Sequence, residues 1–311
     1  MTVTDAEIAA AIRAYWQDTH NLAEGAGALA VGNIAGTNVV NLLLILGFSL
    51  LLGGLRHGIQ RFDRQQAGVS ASMMTLAVIG LLIPTLFEVM REVQLGQLDI
   101  FNTAVEDPAL NRLSLGVAGV LMLLYVLSLI FSFRQPERGL GTPVGVDDPG
   151  FDEEAHKAKW SVPVAVGVLA ISTLAIVFLS EFLVGAVEPT TEALGLNAFF
   201  VGIIVIPLVG NVAEHIVGVQ MALKNKMDLS MTISLGSSMQ VALFVAPLLV
   251  FISLLFGREL TLFFSLLEIA ALGLAVLIAT LISVDGESNW LEGAQLLAVY
   301  VIVALGFYYL V

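Results

Sequence analysis

The chain has 311 residues, is 58% hydrophobic and only 13% charged, and has a mean hydropathy of +0.92. So many long apolar runs cannot be hidden in one soluble domain, so the sequence reads as a polytopic membrane protein. The net charge of −13 is spread over loops and termini, and the Lys and Arg residues form only short loop clusters, so nucleic-acid binding has no support. There is no cysteine, which removes disulfides, thiol catalysis and cysteine-bound metals.

Residues 1–28 are polar, carrying Asp5, Glu7, Asp18 and Glu24, and lack the apolar core and small-residue cleavage site of a signal peptide. Ile8, Ile12 and Trp16 place one face of an amphipathic helix there. Apolar runs of spanning length follow at 29–53, 68–90, 112–133, 161–184, 197–223, 229–254, 261–284 and 290–311. Each crosses about 30 Å of hydrocarbon at about 1.5 Å per residue. The expectation is an all-α membrane protein of eight transmembrane helices.

Loop charge orients these helices. Arg56, Arg61 and Arg64 lie in the first loop, Arg134, Arg138, Lys157 and Lys159 in the third, and Lys224 and Lys226 in the fifth. The stretches 91–111 and 185–196 are acidic or sparsely basic. The odd-numbered loops therefore belong in the cytoplasm, with the seventh, which carries Asp285 and Glu287, neutral on the question. The third loop also holds Asp147, Asp148, Asp152, Glu153 and Glu154, a solvated linker that divides the chain. The expected organisation is a polar segment at 1–28, a first helical bundle at 29–133, an acidic cytoplasmic linker at 134–160, and a five-helix bundle at 161–311.

A shift of 200 residues brings two of the spans into register. Gly36-Thr37-Asn38 falls on Gly236-Ser237-Ser238, Leu29 on Leu229, Leu43 on Leu243 and Ile45 on Val245. Loop charge gives the two segments opposite orientations, which is an inverted repeat, and such repeats place a binding site at their interface. Extended backwards, the register sets Asn211 and Glu214 on Ala11 and Ala14, so the first repeat lacks an acid-bearing helix.

The stretch Gly210-Asn-Val-Ala-Glu-His215 carries the chemistry. Glu214 and His215 lie inside an apolar span, where a carboxylate costs about 2.5–3.5 kcal/mol to insert and normally faces an interior or a water-filled path. Pro207 and Gly210 predict that this helix is broken. Asn211 shares a helical face with Glu214 and His215, and the row Gly210, Glu214, Gly218 lets the next helix approach the acid. That next helix offers Ser237, Ser238 and Gln240. A carboxylate among amide, hydroxyl and carbonyl oxygens suits a hard cation such as Ca²⁺, which takes about six to eight oxygens. Protons compete with the cation for the same carboxylate, and that competition is itself an exchange mechanism. His215 reads two ways, as an interhelical hydrogen-bond partner or as a group that makes the competition respond to pH. Glu88 and Glu181 read as interfacial, and Glu268 as lining a path or pairing with another helix. The Gly32-x-x-x-Gly36 spacing reads as close helix packing.

Gly-Asn-Val-Ala-Glu-His at 210–215, Lys-Asn-Lys-Met-Asp-Leu at 224–229 and Gly-Ser-Ser-Met-Gln at 236–240 resemble the second signature repeat of the Ca²⁺/H⁺ antiporters of the calcium/cation antiporter superfamily. Ser180-Glu181-Phe-Leu-Val and the segment from Asp285 to Gly293 are similar to that family as well. The resemblance implies that Glu214 binds the cation and is protonated in exchange, with Asn211, Ser237 and Gln240 supplying oxygens or orienting it. His215 falls at the family's histidine, and Thr37, Asn38 and Asn41 match its first-repeat helix beside Gly36. It also implies ten core helices, two more than the spans found here, in two inverted bundles.

The function expected is therefore cation/proton antiport, with Ca²⁺ as cargo and no resident cofactor, rather than enzymatic catalysis. Na⁺/H⁺ or Na⁺/Ca²⁺ exchange, and a transport-inactive remnant or assembly partner, are the alternatives. The expected partners are the lipid bilayer, Ca²⁺, H⁺ or Na⁺, and a second copy or separately supplied helices. The expected location is the inner membrane of a prokaryote.

Overall fold

A computed structural model describes residues 33–95, 108–134, 161–196, 200–255 and 260–309. The expected polar segment at 1–28 and most of the linker at 134–160 lie outside the described residues. All eight expected spans have a helical counterpart. The helices are α1 (Asn33–His57), α2 (Arg64–Leu95), α3 (Pro108–Arg134), α4 (Val162–Leu194), α5 (Val201–Gly210), α6 (Val212–Leu223), α7 (Met227–Leu255), α8 (Leu266–Ile282) and α9 (Trp290–Tyr308). Among the described residues five helices are long and apolar enough to cross a membrane, and the bent pair α5–α6 makes a sixth.

α1 is the axis of the bundle. Val39, Val40, Leu42, Leu43, Leu46 and Leu50 are fully buried, whereas Val162, Leu169 and Ile171 of α4 stand exposed. Glycines let its neighbours close in. A Cβ on Gly36 would lie 2.2 Å from the carbonyl oxygen of Ile203 in α5, and one on Gly293 of α9 would lie 2.2 Å from the backbone nitrogen of Leu51. Glycine at both positions is therefore a packing requirement.

Side chains at the helix starts replace the partners that the first backbone N–H groups lack. The carboxylate of Asp63 accepts from Gln65 N (2.7 Å) and Gln66 N (3.1 Å) at the head of α2. Ser265 with Glu268, and Asn289 with Glu292, form reciprocal capping boxes on α8 and α9. Glu268 therefore caps its own helix, rather than lining a path or pairing with another helix. Residues 260–265 are not helical, and Ser265 itself has an extended backbone, so the span expected at 261–284 starts later. Backbone N–H groups of that stretch are held by hydroxyls, Leu262 N by Ser114 Oγ and Phe264 N by Thr85 Oγ1, both at 3.1 Å.

The opposite end of the bundle is tied in the same manner. Gln60 and Arg61 form a two-residue antiparallel bridge, β1, with Glu287 and Ser288, β2. His57 Nε2 lies 2.8 Å from Leu223 O, and Gln60 Nε2 donates to Ala222 O and Asn225 Oδ1, both at 2.9 Å. The seventh loop, neutral by charge alone, thus meets the basic first and fifth loops on one face.

α1 and α7 run antiparallel, since Asn41 near the start of α1 meets Ser237 well along α7, while Asp63 just beyond α1 meets Asp228 at the start of α7. Both repeats contain a π-helical turn, Val40–Ile45 and Val241–Val245, in the same 200-residue register. The inverted repeat is therefore carried by the backbone as well as by the sequence.

Gly36→Ala is expected to lower stability by about 1–3 kcal/mol through overpacking against α5. Gly116→Ala, where a Cβ meets nothing within 4 Å, should be neutral or mildly stabilising. Thermal unfolding of the two purified variants in detergent checks the contrast.

Candidate functional site

The expected break in the 197–223 span falls at Asn211. There α5 and α6 are bent by 63°, and Asn211 itself has left helical geometry (φ −105°, ψ 19°). Pro207, which has no N–H to donate, sits in the short run before the break. Asn211 Nδ2 donates to Pro207 O at 2.8 Å and reaches Thr37 Oγ1 on α1 at 3.5 Å. Asn211 is thus the hinge residue of the span rather than one face of a continuous helix. His215 N still donates to Asn211 O at 3.0 Å, so α6 begins at the hinge. Glu214 lies in the first turn of α6.

Across from the break, Asn41 Nδ2 donates to Ser237 Oγ at 3.1 Å, a direct bond between the two repeats. Asn38 Nδ2 donates to Ile34 O at 2.8 Å. The amide oxygens of Asn38 and Asn41, the hydroxyl of Ser238 and Nε2 of His215 are all buried without a protein partner. An unmade bond of this kind costs about 1–3 kcal/mol, so several together mark oxygens used by something other than protein. Glu214 and His215 are half-buried.

The structure brings together Thr37, Asn38, Asn41, Asn211 and Ser237, with Glu214 and His215 one turn past the hinge. Gln240 stands apart: it is exposed, and its Nε2 reaches Tyr125 Oη on α3 at 3.5 Å. Gly218 does admit a close neighbour, but chiefly α1 rather than α7: a Cβ there would lie 3.1 Å from Ile45 Cγ2, 3.7 Å from Ser49 Oγ and 3.9 Å from Ile233 Cγ2. Glu88 is buried rather than interfacial and is paired with Arg91 at 2.8 Å. The side chain of Glu181 lies outside the described residues.

Sequence reasoning gave no role to Asp63, Asp228, Ser230 and Ser234. The signal was present for the serines, which repeat every four residues with Ser238. Among the described residues no three His, Cys, Asp or Glu side chains gather to hold a metal ion. The residues at the junction offer neutral amide and hydroxyl oxygens, with one carboxylate, Glu214, a turn past the break; such oxygen donors are of the kind a hard cation takes.

A broken span, a lone acid one turn beyond the break, and an antiparallel repeat helix with uncommitted oxygens define a membrane cation exchanger. Comparison with known proteins agrees. The family model described as sodium/calcium exchanger protein matches residues 4–134 and 164–309, and the chain belongs to that family. It is 42% identical over 303 residues to the Ca(2+)/H(+) antiporter of Synechocystis sp. (strain ATCC 27184 / PCC 6803 / Kazusa), covering 93% of this chain and 77% of the relative. It is 37% identical to the Ca(2+)/H(+) antiporter ChaA of Bacillus subtilis (strain 168), covering 93% of this chain and 78% of the relative. Native YfkE shares its structure at a TM-score of 0.71 and 34% identity, over 92% of this chain and 77% of that one. The H⁺/Ca²⁺ exchanger CAX, at a TM-score of 0.63 and 16% identity over 91% of this chain and 69% of that one, shares the fold.

Asn41→Ala removes both the bond to Ser237 and a free amide oxygen, and is expected to weaken cation binding about tenfold, equivalent to about 1.4 kcal/mol. Gln240→Ala, whose amide reaches Tyr125 on α3, should change it less than about twofold. Cation-dependent thermal stabilisation of the two variants reads the difference.

Proposed function

We propose that this chain exchanges Ca²⁺ for H⁺ across a membrane through the carboxylate of Glu214. The observation that carries this is the position of Glu214 one turn past the break at Asn211, a residue that reaches Thr37 on α1, the helix whose buried Asn38 and Asn41 amide oxygens lack protein partners. Similarity to relatives named as Ca(2+)/H(+) antiporters supports the choice of ions.

Ionised Glu214 provides the charged ligand, and Asn38, Asn41, Asn211 and Ser237 would provide neutral ones. Protonation removes the charge that holds the cation, so the cation leaves on the face where protons arrive. The reverse exchange on the other face reloads the site. His215, beside the acid, tunes this competition. No covalent bond other than O–H is made or broken, so the chain acts as a transporter rather than an enzyme.

The bacterial relatives support a prokaryotic inner membrane as the location, with the basic first and fifth loops in the cytoplasm. The exposed residues Val209, Val212, Ile216 and Val217 give the break an apolar outer face for lipid, another copy or a further helix to cover.

Liposomes loaded with a pH dye test the function. Wild-type protein should move protons when a Ca²⁺ gradient is imposed and not when a Na⁺ gradient replaces it. Glu214→Gln keeps the shape but cannot be deprotonated to a carboxylate, and should reduce this movement to the level of empty liposomes. Exchange at the wild-type rate would make Glu214 an interhelical tie only, and a response to Na⁺ would reassign the coupling.

A further inference from the structure

Basic residues beside a helix end commonly do no more than mark the cytoplasmic side of a membrane protein. Arg56 and Lys224 go further, because two different helices bring them to one place. Arg56 lies in the last turn of α1, and Lys224 is the residue that caps the end of α6. With His57, Gln220 and Leu223 they line one open cleft of about 570 Å³, on the face that loop charge assigns to the cytoplasm. That volume lies within the range of small-molecule sites, about 300–1,000 Å³. No lining residue is acidic. His57 is committed to Leu223 O at 2.8 Å, which holds the two helix ends together. Among the described residues neither Arg56 nor Lys224 is in an ion pair.

Each cation also ends a row of exposed apolar side chains. Phe48, Leu52 and Arg56 follow at four-residue spacing on α1, with Phe48 41% and Leu52 37% exposed. The row on α6 is Val212, Ile216, Gln220 and then Lys224, with Val212 45% and Ile216 52% exposed. Residues four apart share a helical face, so both rows run from the cleft towards the middle of the membrane. From Phe48 to Arg56, and from Val212 to Gln220, each rises about 12 Å. That is most of the roughly 15 Å of hydrocarbon in one leaflet.

A soluble anion would use the cations but not the rows, and a plain hydrocarbon surface would use the rows but not the cations. A phospholipid with an anionic headgroup uses both. We propose that the cleft binds the headgroup phosphate of one anionic phospholipid of the cytoplasmic leaflet, with its acyl chains against Phe48, Leu52, Val212 and Ile216. Arg56 supplies a planar fork that matches two phosphate oxygens, Lys224 a point charge, and Gln220 a neutral N–H donor. Basic pockets between membrane helices on the cytoplasmic side suit such headgroups. The lipid ties the end of α1 to the end of α6, beside the contact of His57 with Leu223 O. Neither the cleft nor its lipid depends on which ions the chain exchanges.

The full chain, purified in a neutral detergent and titrated with phosphatidylglycerol, tests this through its thermal unfolding midpoint. Wild-type protein should gain stability saturably, and the same amount of phosphatidylcholine should add little. Arg56→Gln combined with Lys224→Gln should raise half-saturating phosphatidylglycerol at least about tenfold, since each basic residue near an anionic headgroup contributes a factor of about five. Arg134→Gln, at an exposed arginine on the same face but outside the cleft, should leave it within about twofold. Equal responses to the two lipids overturn the proposal, as does a double variant that binds like wild type. Inorganic phosphate that stabilises the wild type as well as phosphatidylglycerol does, at equal concentration, makes the ligand a soluble anion and overturns the lipid site.

Discussion

At bilayer depth an asparagine side chain has no water to bond, so Asn41 must find a partner within the protein. It finds Ser237, on the corresponding helix of the other repeat. Interhelical bonds of this type contribute about 0.6–2 kcal/mol, but their larger effect is to fix register. With α1 held antiparallel to α7 at this point, Gly36 falls against Ile203 and Gly218 against Ile45 and Ser49. The C-terminal end of α1 then reaches the C-terminal end of α6, where His57 and Gln60 meet the last carbonyls of that helix. One polar contact thus sets the arrangement in which the apolar contacts can close.

The break at Asn211 solves a different problem. Glu214 in the middle of a continuous apolar helix would carry an insertion cost of about 2.5–3.5 kcal/mol if charged. Ending one helix and starting another places it in the first turn of α6, near the partial positive charge of a helix N-terminus. That interaction contributes about 0.3–1 kcal/mol, or about 2 kcal/mol in favourable partly buried geometry. The helix end therefore offsets only part of the cost. In the proposed cycle the rest comes from a bound cation or from a proton, the two species exchanged. On that reading the hinge would serve coupling by leaving the charge incompletely compensated.

Much of this was legible in the sequence, for identifiable reasons. Span positions follow from apolar length, and the inverted repeat from a register that keeps Gly36-Thr37-Asn38 on Gly236-Ser237-Ser238. The broken span was announced by Pro207 and Gly210, although the hinge fell on Asn211, whose side chain can bond across the gap. Other features were not legible. Residues 260–265 are apolar enough to read as helix, and in their non-helical form two of their backbone N–H groups are held by hydroxyls of Thr85 and Ser114, distant in sequence. The π-helical turns carry no compositional mark. Glu268 and Glu88 sit in apolar runs, and only the fold shows that one caps a helix and the other pairs with Arg91. Gln240 shares its motif with Ser237, yet its amide reaches Tyr125 on α3, a contact that only the fold shows.

The ties at the two ends of the bundle decide which helices stay together. On the basic face, β1 joins the end of α1 to the start of α9, and Gln60 and His57 join it to the end of α6. On the other face, Thr85 of α2 and Ser114 of α3 hold the stretch that leads into α8. These are two groups, α1 with α6 and α9, and α2 with α3 and α8. α7 touches both, through Asn41–Ser237 on one side and Gln66–Thr232 and Gln240–Tyr125 on the other. The two groups also meet where α8 packs on α1 and α9, so a rearrangement that keeps the end ties would shift those contacts as well as the faces of α7. α7 carries the unpartnered hydroxyl of Ser238 and meets the free amide oxygen of Asn41 on α1, so a small slide there would change the oxygens presented to the proposed cation without unfolding a helix.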